Sequence, residues 1–193
     1  TPLTRMRLQL ALMKNNEDTK TISSDISEME EMIDGYLAFA AGGGDEAPQE
    51  LAVDELLNRL VTQAHKSHKF DITLSPVKDE IPPFPMRRNA IQRAFSNIIS
   101  NAIRYSTKTI VAIRIRNDEV IITFDDNGAG IPQERRADAI RPFIRLEESR
   151  NRRTGGAGLG LSITSDVILS HGGELTLGDS PVGGLRVAIK LPV

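Results

Sequence analysis

The chain has 193 residues, 39% of them hydrophobic and 26% charged, a formal net charge of −2 and no cysteine. This is an ordinary globular composition that gives no global attraction to nucleic acid and excludes disulfides, cysteine-ligated zinc and a thiol nucleophile. The length allows one domain or two small ones, no apolar run approaches the ~20 residues of a membrane span, and no signal peptide opens the chain.

The first residue is Thr1 rather than methionine, which reads as a piece of a longer protein. Leu3, Met6, Leu10 and Met13 follow at spacings of 3, 4 and 3, an a/d helical seam. Pro2 suits a first helical turn or a kink in a longer helix. After the polar break Asn15-Asn16-Glu17-Asp18, a second helix carries Ile22, Ile26, Met29, Ile33, Tyr36 and Ala40 at heptad spacing. Two helices so briefly joined read as an antiparallel hairpin. Such a hairpin cannot bury a seam on both helices alone, so a second copy is expected to complete a four-helix dimer bundle. Packing of both helices on the following domain is the alternative. The acidic run from Glu17 to Asp34 reads as a solvated face rather than a docking surface.

Gly42-Gly43-Gly44 marks a flexible joint, because three consecutive glycines lose too much backbone entropy inside an element. The expected organisation is a helical hairpin over 1–41, a linker over 42–50 and an α/β domain over 51–193. Asp54 is placed to cap a helix bearing Leu56, Leu57, Leu60, Val61 and Ala64. Phe70–Ser75 alternates as a short strand, and the proline-rich run Ile81–Pro85 reads as an extended connection. The helix from about Arg87 to Tyr105 has two stripes, apolar Ile91, Phe95, Ile98 and Ala102, and polar Arg93, Asn97, Asn101 and Arg104. Two amides on one face offer neutral oxygens to a hard cation, and an arginine one turn on can meet phosphate. A plain exposed polar face is the competing reading.

Ile110–Arg116 and Glu119–Asp125 alternate around Asn117-Asp118 as a β-hairpin. Asp126-Asn127-Gly128-Ala129-Gly130 could be another tight turn, but Ile131-Pro132 and a polar helical stretch follow instead of a partner strand. A carboxylate at a strand end followed by spaced glycines suits a floor for a flat base, with Asp126 accepting from an exocyclic amine. The arginine-rich stretch 134–153 fits a basic flap over polyphosphate better than a nucleic-acid platform. It runs into Gly155-Gly156-Ala157-Gly158-Leu159-Gly160 and a helix start, where unpaired N–H groups favour an anion. This is neither a dinucleotide fingerprint nor a Walker loop. His65, His68 and His171 read as helix C-terminal residues without catalytic roles. Residues 174–178 and 185–191 are expected to close the sheet as an antiparallel pair.

Residues 92–105, QRAFSNIISNAIRY, resemble the N box of bacterial sensor histidine kinases, DDNGAGI the first glycine box, RPFIR the F box and GGAGLGLSI the second glycine box. TPLTRMRL is similar to the tail of the H box, and the short lid and hairpin resemble the EnvZ-type osmosensor subgroup. The resemblance implies an α-helical hairpin, half of a dimeric four-helix bundle, followed by an α/β sandwich ATP-binding domain of the GHKL (Bergerat) type. It implies ATP and Mg²⁺ as cofactors, with Asp126 reading the adenine amine, Asn101 and Asn97 holding Mg²⁺, Arg104 meeting phosphate and Tyr105 bordering the nucleotide. Gly128, Gly130, Ile131, Gly156, Gly158, Leu159 and Gly160 would shape the pocket and lid, and Arg145 would be a weaker phosphate contact.

The activity implied is transfer of the γ-phosphoryl of ATP to a histidine of the dimerisation domain, then relay to an aspartate of a response regulator's receiver domain. The implied setting is the cytoplasmic portion of a bacterial inner-membrane homodimer, joined to the membrane only through upstream segments. In the family the accepting histidine lies just before the Thr-Pro pair, so this chain by itself is expected not to autophosphorylate. Thr1 would occupy the position that assists dephosphorylation of the regulator. An ATP-gated binding or dimerisation module without kinase activity is the alternative.

Overall fold

The structure is a computed structural model and describes residues 2–12, 19, 22, 23, 26, 29, 46–77, 80–144 and 158–193. Helix α1 spans Pro2–Ala11, and Thr19, Ile22, Ser23, Ile26 and Met29 are helical. The connection between these helices and the glycine joint lie outside the described residues, and the turn of the expected hairpin with them; of the linker expected over 42–50, residues 46–50 are described, and Gln49 and Glu50 already belong to a strand.

From Glu46 onward the chain builds two layers. Strand β1 (Gln49–Leu51) pairs antiparallel with β3 (Phe84–Met86). The run expected to be only an extended connection therefore ends in a short strand, which tolerates Pro85 because it belongs to a two-stranded sheet. Helix α2 spans Val53–His68. Asp54 lies inside its first turn, and Ala52 stands at the cap without a side-chain bond, which corrects the expected capping. At its other end Lys69 turns left-handed at φ 50°, and His65 Nδ1–H donates to the Phe70 carbonyl at 3.0 Å.

The main sheet has the order β2-β4-β5-β7-β6. Its strands are β2 (Asp71–Leu74), β4 (Lys108–Arg116), β5 (Glu119–Asp126), β6 (Glu174–Asp179) and β7 (Leu185–Pro192). Strand β2 runs parallel to β4, and the other pairings are antiparallel. Asn117 and Asp118 both take positive φ, 53° and 58°, as a two-residue turn matched to strand twist requires. Alternate residues Val120, Ile122 and Phe124 are buried beside Val111, Val187 and Ile189, so one sheet face meets the helices. On the opposite face Asp125 is buried and held by Arg186 in a two-pronged ion pair at 2.6 and 2.9 Å.

Helix α3 (Arg88–Tyr105) is the spine of the helical layer. Its apolar stripe is buried as expected, Ile91 and Phe95 completely. Its N-terminus is capped from a distance, since Arg87 supplies no side-chain cap and Glu46 accepts from the backbone N–H groups of Asn89 (2.8 Å) and Ala90 (3.3 Å). After a 3₁₀ turn (Gln133–Arg135) and the short α4 (Arg136–Ala139), helix α5 (Gly160–Leu169) runs antiparallel to α3.

His171 does more than complement the end of α5. Its Nδ1–H donates to the Val167 carbonyl at 2.7 Å while Nε2 accepts from the Arg87 backbone N–H at 3.0 Å. The Arg87 guanidinium also reaches the Ser170 carbonyl at 3.1 Å and its hydroxyl. Burial, assisted by the Arg87 charge, lowers the His171 pKa below its ordinary value of 6.5, although the Val167 bond and Glu46 oppose this. The folded state thus binds this proton less readily than the unfolded chain. Its stabilising contribution is complete above pH 6.5 and is lost as pH falls through the lowered folded value. Melting temperatures measured from about pH 7 to 5 should therefore fall less steeply for His171→Gln than for the wild type. Parallel profiles would show that His171 does not couple to folding.

Candidate functional site

The sequence-expected residues converge where the end of β5, the polar stripe of α3 and the start of α5 meet. Asp126 closes β5, and its Oδ1 accepts two backbone N–H bonds, from Gly128 at 2.8 Å and from Leu185 at 3.0 Å. Its Oδ2 accepts none among the described residues. The carboxylate is thereby fixed in direction while one oxygen remains available.

Asn127 braces the floor from outside. Its Oδ1 accepts from the backbone N–H groups of Thr107 (3.0 Å) and Lys108 (2.9 Å), and its own N–H donates to the Lys108 carbonyl at 3.1 Å. These bonds tie the α3–β4 connection to the glycine loop. Gly128 lies so close to the end of α3 that a β-carbon would sit 2.4 Å from the Tyr105 carbonyl oxygen. Gly130 takes φ +70° against Gly184. The Ile131 carbonyl accepts from Arg136 Nε at 2.9 Å, and the same guanidinium pairs with Asp179 at the end of β6.

The second wall is the α3–α5 contact. Asn97 Nδ2 donates to the Gly160 carbonyl at 3.3 Å, and a β-carbon on Gly160 would lie 3.6 Å from Asn101 Nδ2. Thr164 Oγ1 sits against the carbonyls of Gly160 (2.7 Å) and Ala94 (3.3 Å), locking the helices together below. Asn97, Asn101 and Arg104 are half-buried on one stripe, and Tyr105 is exposed at its end. One turn before Asn97, Arg93 carries a buried Nε without a hydrogen-bond partner. The stripe is thus a built wall rather than a plain solvated face.

Leu159 is buried at the entrance to α5, and the Gly158 carbonyl, at φ +67°, accepts from the Phe143 N–H at 3.2 Å. This bond brings the two edges of the segment 145–157 together. Thr1, Arg145 and Gly156 lie outside the described residues. Sequence reading missed Gly184 and Leu185, which meet Asp126 only across the folded sheet, and treated Asn127 only as part of a motif. The hydrogen-bonding capacity of Asn127 beside a helix-to-strand turn was the one available signal.

Among the described residues no group of three or more His, Cys, Asp or Glu side chains could hold a metal ion. No described helix is long and apolar enough to cross a membrane.

Gly184 sets the fit of this floor, because an added β-carbon would fall 2.2 Å from Asp126 Oδ1 and 2.4 Å from the Gly128 nitrogen. Gly184→Ala should destabilise the fold by about 1–3 kcal/mol through overpacking. Gly178→Ala meets nothing within 4 Å and should change stability by no more than ~0.5 kcal/mol. Denaturant titration of both variants checks the contrast, and equal midpoints would remove the packing argument.

Comparison with known proteins places this geometry. The chain is 34% identical over its full length to the sensor histidine kinase CpxA of Escherichia coli strain K12, spanning 44% of that protein. The crystal structure of the ATP binding domain of PrrB from Mycobacterium tuberculosis superposes with a TM-score of 0.61 at 26% identity, covering 77% of this chain and 98% of that one. The Acinetobacter baumannii histidine kinase AdeS shares the fold at a TM-score of 0.70 and 19% identity, covering 100% and 95% of the two chains. Residues 86–193 match the family described as histidine kinase-, DNA gyrase B- and HSP90-like ATPase, and the chain belongs to that family.

Proposed function

We propose that the chain is the cytoplasmic core of an EnvZ-type sensor histidine kinase, in which the α/β domain binds Mg·ATP and supplies the γ-phosphoryl to a histidine of the dimerisation domain. The observation that carries this reading is the tethered carboxylate of Asp126. One oxygen is consumed by the Gly128 and Leu185 amides, and the other faces no donor among the described residues. A fixed acceptor beside Gly128 and Gly130, which have no side chains, suits the exocyclic amine of adenine.

The triphosphate would then lie toward Asn97, Asn101, Arg104 and the N-terminus of α5, where unpaired backbone N–H groups favour an anion. The amide oxygens of Asn101 and Asn97 are the groups that would hold Mg²⁺. They fit, since this ion takes few protein ligands and completes its shell with phosphate oxygens and water. When bound, Mg²⁺ neutralises phosphate charge. The protein's own part is positioning, as in other phosphoryl transfers. An imidazole nitrogen attacks the γ-phosphorus with its lone pair, and the bond to the bridging oxygen breaks as ADP leaves. Gly156, Gly158, Leu159, Gly160, Ile131 and Tyr105 would enclose the nucleotide, and Arg145 would contact phosphate from the lid.

The acceptor is not among the chain's own histidines. His65 and His171 are committed to backbone partners, and His68 ends α2. The phosphoryl would pass on to a receiver-domain aspartate of a response regulator, with Thr1 assisting its removal. Met6, Ile22 and Met29, residues of the expected seam, are exposed, which supports a homodimer formed through the helical hairpin.

Two measurements test these readings. Calorimetric titration should show ATP binding that strengthens with Mg²⁺ and weakens at least tenfold in Asp126→Asn, equivalent to about 1.4 kcal/mol. Absence of ATP binding would overturn the nucleotide reading. In sedimentation equilibrium the wild type should be a dimer, and Met6→Glu combined with Met29→Glu, both on the expected seam and both exposed, should shift it toward monomer. A monomeric wild type would favour the alternative, in which the helices pack on the α/β domain.

A further inference from the structure

Thr109 is completely buried, and its hydroxyl is one of two buried side-chain polar groups among the described residues without a hydrogen-bond partner. Buried hydroxyls are nearly always satisfied, because an unpaired one forfeits the hydrogen bonds it would make in water. Its position suggests why this one is not. In the register of β4 and β5, Thr109 stands directly opposite Asp126, and in that of β2 and β4 it stands beside Ile72. Residues opposite one another on neighbouring strands point to the same sheet face. The Asn127 N–H donates to the Lys108 carbonyl, which makes the next pair, Thr109 and Asp126, one of the non-hydrogen-bonded type in which side chains approach most closely. An orphaned hydroxyl and a carboxylate with one uncommitted oxygen are therefore immediate neighbours.

We infer that Thr109 is a positioning residue for base recognition, its hydroxyl and Asp126 Oδ2 sharing one buried water in the floor of the pocket. The geometry sets the direction of the bonds. The Thr109 hydroxyl donates to the water, and the water donates to Oδ2. With Oδ1 held by the Gly128 and Leu185 N–H groups, the carboxylate is fixed at both oxygens and presents its remaining lone pair outward. An outward acceptor takes the amine of a 6-aminopurine and repels the carbonyl oxygen of a 6-oxopurine. Thr109 would thereby sharpen the preference for adenine without touching the nucleotide.

This inference rests on the reading of the pocket as an adenine-nucleotide site, and its test separates the two. Thr109→Val keeps the shape of the side chain and removes the hydroxyl. ATP affinity in Mg²⁺, measured by calorimetry, should fall about three- to tenfold, the weight of one hydrogen bond, and the ATP-to-ITP affinity ratio should shrink. Magnesium tripolyphosphate, which has no base, should bind unchanged. Thr109→Ser should restore the ratio. In the double variant with Asp126→Asn the two losses should not add, because both act through one carboxylate. Unchanged ATP affinity in Thr109→Val, with a raised melting temperature, would mean an idle hydroxyl and overturn the inference. Equal losses for ATP, ITP and tripolyphosphate would assign Thr109 a structural role and also overturn it. Failure of the wild type to bind ATP, or of Asp126→Asn to weaken it, would instead overturn the nucleotide reading and this inference with it.

Discussion

A carboxylate at the end of a strand is ordinarily hydrated and free to rotate, and in that condition it reads nothing. Asp126 escapes this because two backbone N–H groups from different parts of the chain converge on one of its oxygens. Gly128 comes from the loop that follows it, and Leu185 from the start of β7, fifty-nine residues away in sequence. The second contact exists only because Gly184 has no side chain to keep β7 away. Register places β5 between β4 and β7, so any shift of either neighbour would change what Asp126 faces. The order of the whole sheet is thus expressed in the orientation of one group.

The second wall depends on close approach of helices. Gly160 brings the start of α5 within reach of Asn97 and Asn101, and Thr164 uses its hydroxyl against two backbone carbonyls instead of a bulky apolar contact. The opposite end of this antiparallel pair is held by Arg87, Ser170 and His171. Glu46 caps the α3 N–H groups that the local sequence leaves unanswered. Helix α3 is therefore fixed at its first turn by residues remote in sequence and at its last by the Asn127 brace. Its polar stripe is presented from a rigid element rather than a loop, as precise ligand placement requires.

Much of this was legible beforehand, for identifiable reasons. The periodic stripes of α3, the alternation of β4 and β5 and the Asn117-Asp118 turn are local signals, and local physics decided them. That Asp126, Gly128 and Gly130 lie together at a strand end was legible because Ile131-Pro132 and a helical stretch, not a partner strand, follow them. The distant caps were not legible: Asp54 looked like a helix cap, yet α2 begins one residue earlier, while α3 draws its cap from Glu46. His171 was read only as a helix end because its second partner, Arg87, lies eighty-four residues away. Thr109 fell one residue before the strand expected at Ile110–Arg116, which in the structure begins at Lys108. Its interest follows from facing Asp126, which only the sheet register fixes.

The distribution of charge completes the argument. A site of the proposed kind must attract a triphosphate of about four negative charges, two of them offset by Mg²⁺, with a chain whose own net charge is −2, and a cluster of carboxylates around the metal would oppose the substrate. The described residues contain no such cluster. The α3–α5 wall presents the neutral amides of Asn97 and Asn101, the cations Arg93 and Arg104 and the N-terminal end of α5, a set that would suit phosphate in the proposed site. Two carboxylates do stand side by side at the end of β5, but strand alternation sends them to opposite faces. Asp125 is matched by Arg186 on one face, while Asp126 on the other is held only by backbone N–H groups among the described residues, as the proposed base site would require. Swapping their environments would place an unpaired carboxylate in a buried sheet face and an arginine in the base floor. The alternation of a single strand thus separates the charge that supports the fold from the charge that would read the proposed ligand.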